Sequence, residues 1–312
     1  MVNLLKKPVV VVGALLSTGL FVAAQTGGGM AQPGTVNYVE GQANIDGRAL
    51  GSGSLRTTTV GSGQTLATGM GSKAEMLLTP GVVLRLGDNS AVRMVSPTLV
   101  NTKVDLARGT AMVEVDQIVP GNHLMVTDHS ANVQLDKKGL YSFNADQPMV
   151  EVYDGKASVQ VGDKSTDVGK GRELALQPAD KLKTQSFNRE QQGELYAWSS
   201  MRSQYLSEAN GYSAQTILAG NPGWWYGTGW YWNPYFSTWA FVPGAGYLYS
   251  PFGFGFFSPG YAYYGGFYGH GFYRGGYPGR VGVYHGGPAV VGGGFHGGFA
   301  GGGGFHGGGG RR

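Results

Sequence analysis

The chain has 312 residues, 57 of them glycine and none cysteine, with 23 basic against 19 acidic side chains and a formal net charge of +4. Without cysteine there can be no disulfide staple, thiol chemistry, zinc finger or cysteine-linked lipid. So small a net charge leaves no electrostatic footprint for nucleic acid, and none is expected as a partner.

At the N-terminus, Lys6 and Lys7 precede the apolar run Val9 to Ala24, and Val22-Ala23-Ala24 offers small residues for a signal peptidase. Residues 1–24 are therefore expected to be a signal peptide cleaved after Ala24, with a second possible site after Ala31. The apolar run is shorter than the ~20 residues that comfortably span a bilayer, so membrane contact is expected only if cleavage fails. The expected location is outside the cytoplasm, in the periplasm or at the outer cell surface.

More than half of the glycines lie after Asn210, so a core can be buried from about Gly34 to Ala209, roughly one ordinary domain. Period-two alternation marks strands with one buried face at Ala74, Met76 and Leu78, at Val82, Leu84 and Leu86, and at Val92 and Met94. It recurs at Ala111, Val113 and Val115, at Tyr141 and Phe143, at Val150 and Val152, and at Ala157, Val159 and Val161. Turn signals fall between the runs at Pro80-Gly81, Gly87-Asp88-Asn89, Arg108-Gly109, Pro120-Gly121, Lys138-Gly139, Asp154-Gly155 and Gly169-Lys170-Gly171. The pattern predicts an all-β domain over 34–178 with Thr, Ser, Lys and Arg on its outer face. Such strands close as a sandwich, a barrel or a solenoid-like coiled sheet, and periodicity does not choose among them. Lysine and arginine are expected to protect its edges.

A helix is predicted over 188–210, with Asn188 as N-cap, Gln191 closing a capping box and Asn210-Gly211 as the stop. Leu195, Trp198, Arg202, Tyr205, Leu206 and Ala209 share one face, which is expected to pack Trp198 on the β-domain. Residues 224–264 are dense in aromatics and proline and read as a small ribbon that packs on the domain or associates with its own kind. Residues 265–312 decay into glycine repeats with little to bury, and are expected to be disordered.

The chemistry-bearing candidates are few. Carboxylates suited to acid and base work occur at Glu114 and Asp116 and at Glu151 and Asp154, but these positions alternate with core residues, so a solvated outer face is expected. His123 and His129 match no metal spacing. His270, His285, His296 and His306 sit in flexible glycine-rich text that binds a transition metal weakly at best, because closing long loops is entropically costly. No catalytic residue, cofactor-binding residue or metal ligand is assigned, no cofactor is expected, and the chain is read as a non-enzyme.

With the strand pattern in place, the chain resembles the FecR-domain proteins of the bacterial envelope. The resemblance rests on Gly63-Gln64-Thr65-Leu66, Thr68-Gly69, Ala74 to Thr79, Pro80-Gly81, Leu84-Arg85-Leu86-Gly87 and Asn89-Ser90. It continues through Leu106 to Val115, Lys138-Gly139-Leu140-Tyr141, Val152-Tyr153-Asp154-Gly155 and Tyr196-Ala197-Trp198. It implies an all-β extracytoplasmic module that, in that family, relays the state of an outer-membrane transporter to a cytoplasmic sigma factor. Only Met1 to Lys7 precede the apolar run here, so the module is expected without a sigma-binding arm, as a stand-alone exported protein. The resulting expectation is an envelope binding or scaffolding protein with a protein or glycan partner. The alternative is a periplasmic accessory of FecR-type signalling.

Overall fold

The computed structural model describes residues 31–220 and 227–264. The chain opens with β1 (Val36–Glu40), β2 (Ala43–Ile45), β3 (Arg48–Ala49), β4 (Thr65–Thr68) and β5 (Lys73–Leu77). It continues through β6 (Val82–Leu86), β7 (Ala91–Pro97), β8 (Asn101–Arg108), β9 (Thr110–Val115) and β10 (His123–Asp128). Next come β11 (Ala131–Leu135), β12 (Gly139–Asn144), β13 (Met149–Asp154) and β14 (Lys156–Val161). β15 (Lys164–Gly169), β16 (Arg172–Ala175) and β17 (Gln185–Ser186) complete the β-domain.

These strands form two sheets. Sheet one has the order β1-β5-β6-β9-β12-β13-β16-β17, and sheet two the order β15-β14-β11-β10-β8-β7-β4-β2-β3. Apart from the parallel pair of β8 and β10, neighbouring strands run antiparallel. Strand numbers advance along both sheets together, because the chain crosses between the layers while moving along the stack. The result is a sandwich wound like a solenoid, which answers the question periodicity left open.

Every alternating residue predicted to face inward does so. Met76, Leu84, Val113, Tyr141, Phe143 and Val152 of sheet one meet Val92, Met94, Val104, Val126, Val133 and Val159 of sheet two in one core. The period of two and the common core are the same fact, since residues two apart in a strand point to one face. At the turn between β13 and β14, Gly155 has φ +97°, and a Cβ there would run into the Tyr141 hydroxyl and the Lys138 carbonyl. That hydroxyl donates to the carbonyls of Lys137 at 2.5 Å and Lys156 at 3.1 Å, and burial pushes its pKa up to about 12. β15 and β3 end sheet two with Lys164 and Arg48 respectively, consistent with charged edge protection.

Beyond the sandwich come α1 (Glu194–Gly220), the hairpin of β18 (Gly229–Asn233) and β19 (Thr238–Val242), and that of β20 (Tyr247–Tyr249) and β21 (Gly255–Phe257). The short α2 (Pro259–Tyr264) follows. Together these elements form a cap over the outer face of sheet one. The helix differs from its predicted limits of 188–210. Asn188 makes a local turn, its side-chain oxygen accepting from the Glu190 amide at 3.0 Å, and the helix starts at Glu194. At the other end the helix runs through Asn210-Gly211 to Gly220, because Asn210 is used elsewhere. Its Nδ2 donates to the carbonyls of Phe241 and Phe257 at 2.7 and 3.0 Å, and its Oδ1 accepts from the Phe257 amide at 2.8 Å. Tertiary hydrogen bonds thus override a local stop signal.

The aromatic segment forms ordered hairpins packed on the domain. Trp230, Trp239, Phe241 and Phe256 gather with Leu206 on Leu77 and Val83 of sheet one. The Trp230 ring nitrogen donates to the Thr79 carbonyl at 3.2 Å, fixing β18 to the Pro80-Gly81 turn. The expected signal peptide over 1–24, the second cleavage site and the glycine-rich 265–312 with its four histidines lie outside the described residues.

Candidate functional site

The outer face of sheet one carries side chains of three kinds. Leu77 and Val83 sit under the aromatic hairpins, and Met112, Leu140 and Tyr153 sit under Leu195, Tyr196, Phe187 and Phe252. Between these apolar patches lie Glu75, Arg85 and Glu114. Strand register puts Arg85 directly opposite Glu75, and Glu114 opposite Val83 on the next strand, one diagonal step away.

Arg85 is wholly buried between the two glutamates. Its Nε donates to Glu75 Oε2 at 2.9 Å, and its Nη1 to Glu114 Oε2 at 2.5 Å. The remaining carboxylate oxygens are taken by α1 and by the edge strand β1. Arg202 Nη2 of α1 and Asn37 Nδ2 of β1 each donate to Glu75 Oε1 at 2.9 Å, and Ser203 Oγ of α1 donates to Glu114 Oε1 at 2.5 Å. The Arg202 guanidinium also lies over the rings of Tyr38 and Tyr205, 4.1 and 4.9 Å from their centroids. Two guanidiniums therefore meet two carboxylates in a site closed to water.

Expectation and structure part here. Glu114 and Asp116 do lie on the face opposite the valines, as alternation requires, but that face is not solvated. Both are buried, as are Lys73 and Arg85, which were also expected outside, and Glu75 beside them. The physical reason is that α1 brings a polar face of its own. Ser199, Arg202, Ser203, Ser207, Asn210 and Ser213 are buried in the cap, where Arg202 and Ser203 serve the sheet's glutamates while Ser207, Asn210 and Ser213 bond the cap itself. Glu151 is half-buried beside the hydroxyls of Ser142 and Tyr153, and burial pushes its carboxyl up. Asp154 makes a surface ion pair with Lys170 at 2.8 Å, so Glu151 and Asp154 do not act as a pair. Trp198 is buried as expected, its ring nitrogen donating to Glu40 Oε2 at 2.9 Å.

His123 lies exposed at the start of β10, and His129 Nδ1 is 2.6 Å from Asp128 Oδ1. Among the described residues no group of three His, Asp or Glu side chains is placed to hold a metal ion. None of their helices is long and apolar enough to cross a membrane. A groove of about 360 Å³ opens between sheet one and the start of α1, lined by Met112, Ser142, Glu151, Tyr153, Glu194 and Tyr196 among others. Glu194 at its rim pairs with Lys73 at 2.6 Å.

The electrostatics follow from this packing. Burial alone would push the Glu75 carboxyl up, but the guanidiniums of Arg202 and Arg85 outweigh it and hold it below the ordinary carboxylate range. Burial likewise works against the charge on Arg85, and Glu114 and Glu75 overcome it. At Asp116 the attraction of Arg85 and Lys138 is outweighed. Burial first, and the adjacent Glu114 charge second, push its carboxyl well above the ordinary value. With both oxygens of Glu75 and Glu114 engaged, neither is free to move a proton for a ligand.

Sequence reasoning missed Glu75, Arg85, Arg202, Ser203 and Asn37. The available signal was double: opposite charges at facing strand positions, and polar residues at helical spacing on the face that carries Trp198.

Residues 64–162 match the family model described as FecR protein. The protein carries a FecR domain. The match runs from β4 through β14, and the cap lies outside it. Two crystal structures of a candidate anti-sigma factor from Parabacteroides distasonis ATCC 8503 also align, each at 17% identity with a TM-score of 0.37. Each alignment covers 44% of this chain and 64% of the other, so the chain spans less than two thirds of their length. Among curated proteins no relative was found.

Two outcomes follow from the charge network. Replacing Arg85 by Met leaves buried Glu114 without a cation and Glu75 with Arg202 alone, and is expected to cost about 3–5 kcal/mol in urea unfolding. Arg93→Met, at the half-exposed pair with Asp105, is expected to cost less than about 1 kcal/mol. Asp116 sets a pH dependence of known sign. Its carboxyl loses its proton near 3.8 when unfolded and only well above that when folded, so across this window stability falls as pH rises. Glu75, with a depressed folded value, acts in the opposite sense as pH falls, equally in wild type and variant. Asp116→Asn therefore gains on wild type as pH is raised from 4 to 8, read as a widening difference in urea midpoint. A constant difference would mean that Asp116 ionises normally in the fold.

Proposed function

We propose that the protein is an exported, non-enzymatic binding or scaffolding component of the cell envelope, in the periplasm or at the outer cell surface. The FecR match supports a regulatory, signalling-related role of the FecR type. The observation that carries the binding reading is the division of side chains between inside and outside. The network's carboxylates are consumed by internal partners, while the cap offers tyrosines to solvent. Tyr235, Tyr247 and Tyr263 are 77%, 52% and 59% exposed, and Tyr247 joins Tyr261 and Tyr249 at ring-centroid distances of 4.8 and 5.8 Å. Tyrosine rings give broad contact at low conformational cost, which suits recognition of a protein or glycan surface, or of another copy of the chain. The FecR match also favours a second reading, an accessory that binds a transporter or anti-sigma partner.

Export is checked by fractionating bacteria that express the full chain with a C-terminal tag and sequencing its N-terminus. Recovery outside the cytoplasm beginning at Gln25, or at Gln32 if the second site is used, is expected; cytosolic protein with an intact leader rejects export. For the binding surface, Tyr235→Ser with Tyr247→Ser is expected to change stability by no more than about 0.5 kcal/mol per site. The same double variant should reduce retention in the envelope fraction several-fold. Unchanged retention removes these tyrosines from the function.

A further inference from the structure

No disulfide can tie the elements of this chain together, since it has no cysteine, but it carries 18 tyrosines. Two of them meet where α1 passes the turn between β18 and β19. The rings of Tyr212 and Tyr235 have centroids 4.6 Å apart at an interplanar angle of 58°. Their hydroxyls lie together too, and the Tyr235 hydroxyl pushes the Tyr212 phenol above its ordinary pKa. The ring carbons beside the two hydroxyls are therefore brought near each other. Tyr235 is exposed and Tyr212 half-buried, so a small oxidant reaches the pair from solvent.

The surrounding hydrogen bonds hold the pair in place. The Asn233 side-chain oxygen accepts from the Tyr235 and Phe236 amides at 3.0 and 3.1 Å. Its Nδ2 donates to the Ala209 carbonyl and to Ser213 Oγ, each at 3.0 Å, so the turn is clamped to α1 on either side of Tyr212. A second tie lies one step further along, where the Tyr205 hydroxyl donates to the Phe236 carbonyl at 2.7 Å and its ring stands edge-on to that of Phe236. Other tyrosine pairs are placed less well. Tyr153 and Tyr196 are 5.1 Å apart with Tyr153 buried, and Tyr247 and Tyr249 are 5.8 Å apart at 84° on one short strand. Tyr247 and Tyr261, at 4.8 Å, are the nearest rival.

We propose that Tyr212 and Tyr235 are a modification site, coupled by a peroxide-driven one-electron oxidant into an intrachain dityrosine that staples α1 to the hairpin of β18 and β19. Each phenol gives up one electron and its hydroxyl proton, leaving a phenoxyl radical with spin on the carbons ortho to the oxygen. A carbon–carbon bond forms between one such carbon of each ring, and the hydrogen on each bonded carbon passes through water to its own oxygen, restoring two phenols. The chain loses two hydrogen atoms in all, and these reduce one hydrogen peroxide to two waters. Selectivity comes from placement, because two radicals already side by side couple before either meets a second chain. The closed loop restrains the unfolded chain as a disulfide does in cysteine-bearing domains. The inference goes beyond the binding reading and does not rest on it.

The test is made on the purified full chain, kept dilute and treated with hydrogen peroxide and a haem peroxidase. Dityrosine fluorescence is expected in the monomeric chain, with a mass lower by two hydrogen atoms and a mapped link between fragments containing Tyr212 and Tyr235. Tyr212→Phe keeps the ring and removes the hydroxyl that coupling needs, so it should lose that link and most of the monomer's dityrosine fluorescence. Tyr247→Phe should keep both. In urea that unfolds the chain, the yield of the Tyr212–Tyr235 link should fall several-fold. A link between Tyr247 and Tyr261 in its place, coupled dimers with no intrachain link, no link at all, or equal yields with and without urea overturns the proposal. Envelope retention of the Tyr235→Ser variant reads the binding surface and this experiment reads a covalent bond, so failure of one is told apart from failure of the other.

Discussion

A wholly buried guanidinium, that of Arg85, dictates the arrangement of everything on one side of this protein. An arginine in the middle of a sheet face cannot be left dry and unpaired, and its planar fork needs carboxylates at defined angles. Glu75 and Glu114 supply them from the two flanking strands. Those carboxylates have further oxygens to satisfy: Asn37 of the sheet's own edge strand serves one, and Arg202 and Ser203 come in from the helix to complete the set. Asn37 in turn accepts from the Trp239 amide at 2.8 Å, tying β19 and its hairpin to the same centre. One ion thus propagates, by unmet hydrogen bonds, into the position of the whole cap.

The parts of this architecture that could be read from the residues were those governed by a single rule. Alternation of apolar residues fixed which side of each strand faces the core, because a one-residue slip would turn Val113, Phe143 or Val159 out of it. That parity also put Glu114 and Asp116 on the opposite face correctly. It could not say whether the face was wet. The inference from polar to solvated assumes that nothing polar covers it, and α1 breaks the assumption by presenting serines, an arginine and an asparagine inward. The helix end was misjudged for a related reason: Asn210-Gly211 is a stop only if the Asn amide serves its own backbone, and here it clamps two hairpins.

The FecR match and the network meet at an informative boundary. Glu75, Arg85 and Glu114 lie within residues 64–162, whereas Arg202, Ser203, Ser250 and the aromatic hairpins lie beyond. The matched domain contributes a charged face, and the rest of the chain contributes the groups that complete it. Fold and cap are therefore coupled both by this charge network and by the apolar clusters that Leu77, Val83, Met112, Leu140 and Tyr153 build with the cap. The apolar clusters of the cap stay on the outer side of sheet one and do not merge with the sandwich interior.

Charge balance explains the least expected member of the site. Two guanidiniums and two glutamates already sum to neutrality inside a volume with no water to screen a remainder. A third ionised carboxylate would add a net charge there, and the cost of desolvating an unpaired ion far exceeds that of holding one proton. Asp116 is next to Glu114, so its ionisation would also set two like charges side by side. Burial and the neighbouring Glu114 charge act in the same direction on its carboxyl and raise it well above the ordinary carboxylate range.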